Sequence, residues 1–385
     1  MKYPSTIELS RSALRQNISF LKNLVGPKVR FVSVIKGNAY GHGIAEFLPL
    51  AEECGVNYFA VFDSKEAEVA YEVKSDDSEL MIMGMIDNED LAWAIQRDIS
   101  FFVFDLGRLR QAIKDAKLLE KKARIHIEVE TGLHRTGFEG KQLRDAIKLI
   151  NQNKEFLEIE GVCTHYAGAE SIANYVRVQK QITRFNELKD MLAKRGITPK
   201  FYHTACSAAS IVYPETRMDM VRVGIAQYGF WPSEEVKMNA FLSKQKEFSE
   251  RPLSRVLQWK SHVMNVKFVE PGEFISYGNF YQATQKTKIA TVPVGYYHGY
   301  RRSLSNLGYV LVKGKKAPVV GMVNMSMMLI DVTGIAFVKK GDTVILIGKQ
   351  GKHEITVASF SELSNLVNYE LLVRLPSTIP RLIRK

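Results

Sequence analysis

Phe31-Val32-Ser33-Val34-Ile35 is an apolar run of strand length. It is cut short by Lys36-Gly37-Asn38-Ala39-Tyr40-Gly41-His42-Gly43, and a helix-like stretch follows over residues 44–54. Buried parallel strands read as continuous apolar runs, and strands alternating with helices imply a parallel sheet. The same unit recurs along the first 230 residues. Further strand-length runs lie at 58–62, 80–83, 101–104, 125–129, 161–165, 201–203 and 220–225, with helical stretches at 64–73, 88–96, 107–117, 141–150 and 173–195. Eight such units over about 225 residues fit a closed (β/α)8 barrel of the TIM type. An open doubly wound sheet would carry a glycine-rich dinucleotide loop after its first strand, and none is found.

From about Leu253 onward the pattern changes. Strand signals follow one another at 257–263, 266–269, 274–276, 288–292, 309–312, 317–320, 327–332, 343–347 and 355–357, punctuated by Pro271-Gly272, Gly308, Gly314, Gly334, Gly341 and Gly348. This predicts a second, mainly antiparallel β domain. The expected fold is therefore α/β, a (β/α)8 barrel over 1–240 followed by a C-terminal β domain over 241–385, with residues 231–252 as connector.

The chain has 385 residues, 46% of them hydrophobic and 24% charged, enough apolar content for a packed core in each domain. A net charge of +12 raises the question of a nucleic-acid partner. The basic residues are interspersed with acids, however, and no block of five like charges occurs, so none is expected. No apolar run reaches the length of a membrane span, and the first residues hold no signal-peptide core. Cys54, Cys163 and Cys206 are an odd number without metal-like spacing, which predicts small buried side chains in a reducing cytoplasm, and no metal site.

Lys36 stands where a barrel strand ends, the end at which such barrels keep their active sites. A lysine in an apolar mouth loses proton affinity and becomes a better nucleophile; from position alone it could equally snorkel to solvent. The stretch around it resembles the lysine-bearing motif of the alanine racemases, and the likeness continues in order along the chain. Matching segments are Glu130-Thr131-Gly132-Leu133-His134-Arg135-Thr136-Gly137, Gly161-Val162-Cys163-Thr164-His165-Tyr166 and Cys206-Ser207-Ala208-Ala209-Ser210. They continue with Val221-Arg222-Val223-Gly224-Ile225-Ala226-Gln227-Tyr228-Gly229, Ile275-Ser276-Tyr277-Gly278, Val292-Pro293-Val294-Gly295-Tyr296 and a final stretch from Ala317 through Asn324-Met325-Ser326 to Met327.

The resemblance implies a homodimeric enzyme dependent on pyridoxal 5'-phosphate that interconverts L- and D-alanine and supplies D-alanine for peptidoglycan. By it, Lys36 carries the cofactor; Tyr40, Ser207, Gly224 and Ile225 bind its phosphate; Arg222 faces its pyridine nitrogen. A guanidinium keeps its proton, so that nitrogen would stay unprotonated and the ring would be a weaker electron sink than usual. His165 is expected to orient Arg222 or to pack near the ring, or else to be a satisfied core histidine. Lys36 and Tyr277 would serve opposite faces of Cα, Tyr277 coming from the β domain of the partner subunit. A free tyrosine has a pKa of about 10, so it needs a nearby cation, and Arg135 fits. The Met325 amide would hold the substrate carboxylate, with Tyr296 lining the entrance. Without the resemblance, Tyr277 reads as a half-buried strand residue, Ser207 as a helix N-cap and Gly224 as a tight packing contact.

Several positions depart from the family pattern. Glu128 stands where relatives often have a carbamylated lysine; it could hold Arg135 or alter the tuning of Tyr277. Ser326 replaces an aspartate, Glu170 closes a segment that more often closes with aspartate, and Pro376-Ser377-Thr378-Ile379-Pro380-Arg381 lacks a tyrosine some relatives place beside the phosphate. These departures leave open a racemase for serine, lysine or a broad range of amino acids. A non-catalytic cofactor carrier would lack the β domain, and a fold-related decarboxylase would favour an acid where Arg222 stands.

Overall fold

Alternation decides the first strand of the chain, β1 (Ser5–Ser10), in which Ser5, Ile7 and Leu9 point inward and the residues between them do not. In the computed structural model, which describes residues 3–242, 252–357 and 369–384, this strand stands apart from the eight that follow. Those eight are β2 (Arg30–Val34), β3 (Tyr58–Val61), β4 (Glu79–Ile82), β5 (Ser100–Val103), β6 (Ala123–Glu128), β7 (Leu157–Cys163), β8 (Phe201–His203) and β9 (Met220–Val223). Most are buried on both faces, as their unbroken apolar runs require. They pair in parallel in the order β8-β7-β6-β5-β4-β3-β2-β9. The two ends of that sheet meet where the Asp219 amide donates to the Tyr202 carbonyl (3.2 Å) and the Arg222 amide to the Ala205 carbonyl (2.9 Å). The predicted eight-stranded barrel is thus present.

The helices between the strands start on sequence signals. Asp63 and Asp105, just past β3 and β5, accept from the amides of Glu66 and Arg108 (2.9 Å each) and cap the helices Ser64–Val73 and Leu106–Leu118. In Gly140–Gln152 the buried set Leu143, Ala146, Ile147 and Ile150 forms one stripe, each large side chain contributing about 1.5–3 kcal/mol on burial.

The remaining strands are β10 (Leu257–His262), β11 (Asn265–Val269), β12 (Thr287–Val292), β13 (Tyr309–Val312), β14 (Lys315–Pro318), β15 (Met328–Asp331), β16 (Thr343–Gln350), β17 (His353–Ile355) and β18 (Arg381–Arg384). They form a seven-stranded sheet, in the order β14-β13-β16-β10-β1-β18 with β17 on β16, and a three-stranded sheet, β11-β12-β15. The pairing is antiparallel except for β1 with β18. Val269, Ile275, Ala283, Ile289 and Val320 form the small sheet's core. The strand expected at 274–276 is a turn instead, since Ser276 (φ 71°) and Gly278 (φ 66°) take the left-handed conformation.

The chain falls into two units interleaved in sequence: Ala13–Gly37 with Leu48–Ser254, and Met1–Ser12 with Asn38–Phe47 and Arg255–Lys385. A single cut at residue 240 does not contain this interleaving. β1 pairs with β10 on one side and β18 on the other, which draws the N-terminal residues into the β unit. The expected connector holds a helix, Glu234–Leu242, and its residues 243–251 lie outside the described residues.

Candidate active site

Lys36 directly follows β2, whose pairing is carried one residue further by the Ile35 amide donating to the Ala60 carbonyl (2.8 Å). The lysine is reached by solvent. Thinned hydration lowers its pKa first, Arg135 and Arg222 lower it further, and Glu66 and Cys206 oppose them. Beyond it the backbone winds left-handed through Gly37, Asn38, Ala39, Tyr40 and Gly41, with φ between 51° and 81°.

Arg222, on β9, is buried and almost fully committed. One terminal nitrogen donates to the His203 Nδ1 and to the His203 carbonyl (2.8 Å). The other donates to the carbonyls of Thr164 (2.7 Å) and Thr204 (3.3 Å). The remaining N–H, on Nε, has no protein acceptor among the described residues, so the arginine has one donor to offer. The side chain that orients Arg222 is therefore His203, not His165. His165 lies two residues past β7 and makes no hydrogen bond to Arg222. Burial, then the charges of Arg222, Arg135 and Lys36, holds its pKa down to about 3. It is a neutral imidazole beside three cations.

Ser207 is the first residue of the helix Ser207–Val212 and not its cap, which is Cys206. Its Oγ accepts from the amides of Gly224 (2.9 Å) and Ala226 (3.5 Å), while its own hydroxyl hydrogen has no protein acceptor among the described residues. The turn after β9, with Gly224 and Ile225, is tied to the end of β2: Gln227 Nε2 and the Tyr228 hydroxyl both donate to the Val34 carbonyl (3.0 Å each).

Arg135 sits in the loop after β6. Glu130 orders that loop by accepting from the amides of Gly132, Leu133 (2.8 Å) and His134 (2.8 Å). Glu128 is buried. Burial raises its pKa, while a Thr136 hydrogen bond and the charges of Arg222 and Arg135 act against the rise. Gln181, unmarked in the sequence reading, joins two of these loops by donating to the Thr131 hydroxyl (3.2 Å) and the His165 carbonyl (3.1 Å). Its only sequence signal is a polar residue inside the apolar stripe Val178, Ile182, Phe185.

The other candidates belong to the β unit. The Tyr40 ring packs edge-on against Tyr369 (6.3 Å). Tyr277 is not a half-buried strand residue; it is 71% exposed, at the tip of the turn that Ser276 anchors by donating to the Met322 carbonyl (2.8 Å). Nearby in sequence to that anchor, the carbonyls of Asn324 and Met325 accept from the amides of Tyr296 (3.1 Å) and Tyr297 (3.0 Å). Gly295 permits this approach, since a Cβ there would press on the Asn324 and Met325 carbonyls. The Met325 amide has no protein acceptor among the described residues. Among those residues, no three His, Cys, Asp or Glu side chains are grouped to hold a metal ion, and no helix is long and apolar enough to cross a membrane.

Comparison with known proteins agrees over the whole chain. The family described as alanine racemase, N-terminal domain, matches residues 9–232, and alanine racemase, C-terminal domain, matches 256–383. An alanine racemase of Leptospira interrogans is 31% identical over 383 residues, covering 99% of this chain and 96% of that protein. One from Desulforamulus reducens is 36% identical over 390 residues, covering 99% of each. A solved alanine racemase from Bacillus anthracis with bound L-Ala-P superposes with a TM-score of 0.89 at 31% identity, over 100% of this chain and 96% of that one.

Proposed function

Since the chain belongs to the alanine racemase family and is an enzyme that interconverts L- and D-alanine, we propose that it moves the Cα proton between two bases, Lys36 and Tyr277, with pyridoxal 5'-phosphate held beside Lys36. The relatives' common name favours alanine over serine or lysine as substrate.

The observation that carries the cofactor reading is the donor set. Arg222 has spent four of its N–H groups on protein and keeps Nε–H for a ring nitrogen, to which it donates without giving up its proton. Ser207, its Oγ held by the Gly224 amide, keeps a hydroxyl hydrogen for an anion, alongside the Ile225 amide and the Tyr40 hydroxyl; His165, neutral, packs at the ring. When bound, this cofactor withdraws electrons from Cα and weakens its C–H bond.

The residues do the rest. Lys36 Nζ, its proton affinity lowered, takes or returns the proton on one face. The Tyr277 phenol does so on the other, and Arg135 supplies the cation that a phenolate and a substrate carboxylate both need. The Met325 amide donates to that carboxylate, and Tyr296 lines the entrance. We assign Tyr277 to the partner subunit's site in a homodimer. The exposure of the large apolar side chains Phe274, Tyr277, Phe280, Tyr297 and Met325 supports this, since exposed apolar surface marks interfaces where it is contiguous. The three free cysteines accord with a reducing cytoplasm, where the D-alanine would feed peptidoglycan synthesis.

Incubating the holoenzyme with L-alanine in deuterated water tests the reaction. D-alanine carrying solvent deuterium at Cα is expected. D-alanine that keeps its original hydrogen would sink the two-base route, and absence of D-alanine would sink the activity.

A further inference from the structure

From Arg222 a chain of polar side chains runs through the barrel interior, a space such barrels usually fill with apolar ones. His203 Nε2 lies 2.9 Å from His126 Nδ1, and His126 Nε2 lies 3.2 Å from the Ser100 hydroxyl and 3.3 Å from that of Tyr58. The two hydroxyls are 3.0 Å apart, and Ser100 Oγ is 3.3 Å from the Leu80 carbonyl. Ser100, His126 and His203 are fully buried.

Both ends of this chain fix its direction. Arg222 can only donate, so His203 Nδ1 must be a bare acceptor and its proton must sit on Nε2. That N–H then needs an acceptor, which His126 Nδ1 supplies, and the His126 proton is in turn on Nε2, donated to Ser100 and Tyr58. The Leu80 carbonyl can only accept, so Ser100 donates to it. Run in reverse, the chain would set an N–H of His203 against an N–H of Arg222. We propose that His126 is a positioning residue for the racemisation, holding His203 in the one tautomer that can clamp Arg222 with its Nε–H outward.

The surrounding structure is built around this contact. β6 and β7 slip register between Ile125 and His126, setting His126 opposite Gly161. A Cβ at Gly161 would strike His126 Nδ1 and lie 2.7 Å from His203 Nε2, so only glycine leaves the two rings room to meet. The Phe102 ring flanks both imidazoles, at 5.7 and 5.9 Å. Burial and the facing cations, Arg222 for both rings and Arg124 for His126, keep the histidines neutral. At the far end Tyr58 meets Arg30 (4.6 Å), with Glu79, Glu160 and Arg124 as its charged neighbours.

The test is long-range proton–nitrogen NMR of the full-length holoenzyme with labelled histidine, its 8 histidines assigned by substitution. His126 and His203 are expected as neutral Nε2–H tautomers that do not titrate between about pH 6 and 9, where a free imidazole would. In His126→Leu the His203 signal should leave that tautomer, and kcat should fall about ten- to a hundredfold with KM for alanine nearly unchanged, because Arg222 is misplaced while the substrate's own contacts remain. A wild-type His203 protonated on Nδ1, or a His126→Leu protein that keeps both the His203 signal and kcat, would overturn the proposal. If His126→Leu does not fold, Ser100→Ala serves. It should shift the His126 Nε2 resonance, and an unmoved resonance would count against the chain. The activity arm rests on the role proposed for Arg222, whereas the NMR arm does not; loss of the tautomer would leave that role standing, and an Arg222 variant of full activity would leave the tautomer standing.

Discussion

Four imidazoles, those of His42, His126, His165 and His203, sit where a proton is unwelcome. Burial is the first cause at each; it takes His42 and His165 down to about 3 and the other two well below the ordinary 6.5. An unfolded chain protonates all four near pH 6.5, whereas the folded protein does so only at far lower pH. Between those values the unfolded state binds more protons, so stability falls as pH drops, by about 1.4 kcal/mol per pH unit for each such histidine. Glu128, raised by burial, works in the opposite sense but is one group against four. The melting temperature should therefore fall steeply from pH 7 to pH 5, and a flat or rising profile would contradict this account of the interior. Of these residues, sequence reasoning singled out His165 but missed the histidine that grips Arg222. His203 ends a three-residue strand, and nothing local marks it as polar-bonded. Its partners, His126 and Arg222, lie 77 and 19 positions away, and only barrel closure brings them together.

At the scale of the element, the turn after Lys36 stores strain. Asn38, Ala39 and Tyr40 hold φ of 52°, 54° and 51°, a conformation costing L-residues roughly 1–2 kcal/mol each and rarely adopted by neighbours in succession. Part of the cost is offset locally. The Gly43 amide donates to the Asn38 carbonyl (2.9 Å), the Ile44 amide to Asn38 Oδ1 (3.0 Å), and Arg381 to the Gly41 carbonyl (3.0 Å). Replacing Ala39 with glycine removes strain of roughly 1–2 kcal/mol but also removes a buried methyl and frees the unfolded chain, at about 1 kcal/mol each, so the variant should melt at the wild-type temperature or slightly below it. Ala39→Val adds a β-branched side chain to a fully buried left-handed position and should cost more than about 2 kcal/mol. Equal stability of the valine variant would mean that the turn is not strained. Elements with apolar runs on both faces, β2 to β9, were legible as strands. β18 was not: Arg381-Leu382-Ile383-Arg384 is short, and it is a strand because β1 offers it an edge.

The molecule as a whole sorts its candidate groups by unit: Lys36, Arg135, Ser207 and Arg222 in the barrel unit, and Tyr40, Tyr277, Tyr296 and Met325 in the β unit. Sequence periodicity separated barrel from β sheet correctly in kind. It could not foresee the interleaving, because membership of residues 1–12 is decided by pairing with strands some 250 and 370 positions later. Nor could it foresee that Tyr277 stands exposed, since a turn set by left-handed Ser276 leaves no periodic trace. Exposed aromatic and apolar side chains such as Tyr277 and Phe280 are costly in a monomer and useful in a dimer. The proposed sharing of sites has a consequence that no single variant can show. Lys36→Ala and Tyr277→Phe should each be nearly inactive as homodimers. Unfolded together and refolded at equal concentration, half of the dimers combine the two variants, and each of these carries one site with both Lys36 and Tyr277 and one with neither. Activity should then return to about a quarter of the wild-type level, the statistical expectation for a twofold assembly. If Lys36 and Tyr277 of one site came from the same chain, every site in the mixture would lack one base and no activity would return, so recovery distinguishes a shared site from a private one without reference to any residue's measured distance.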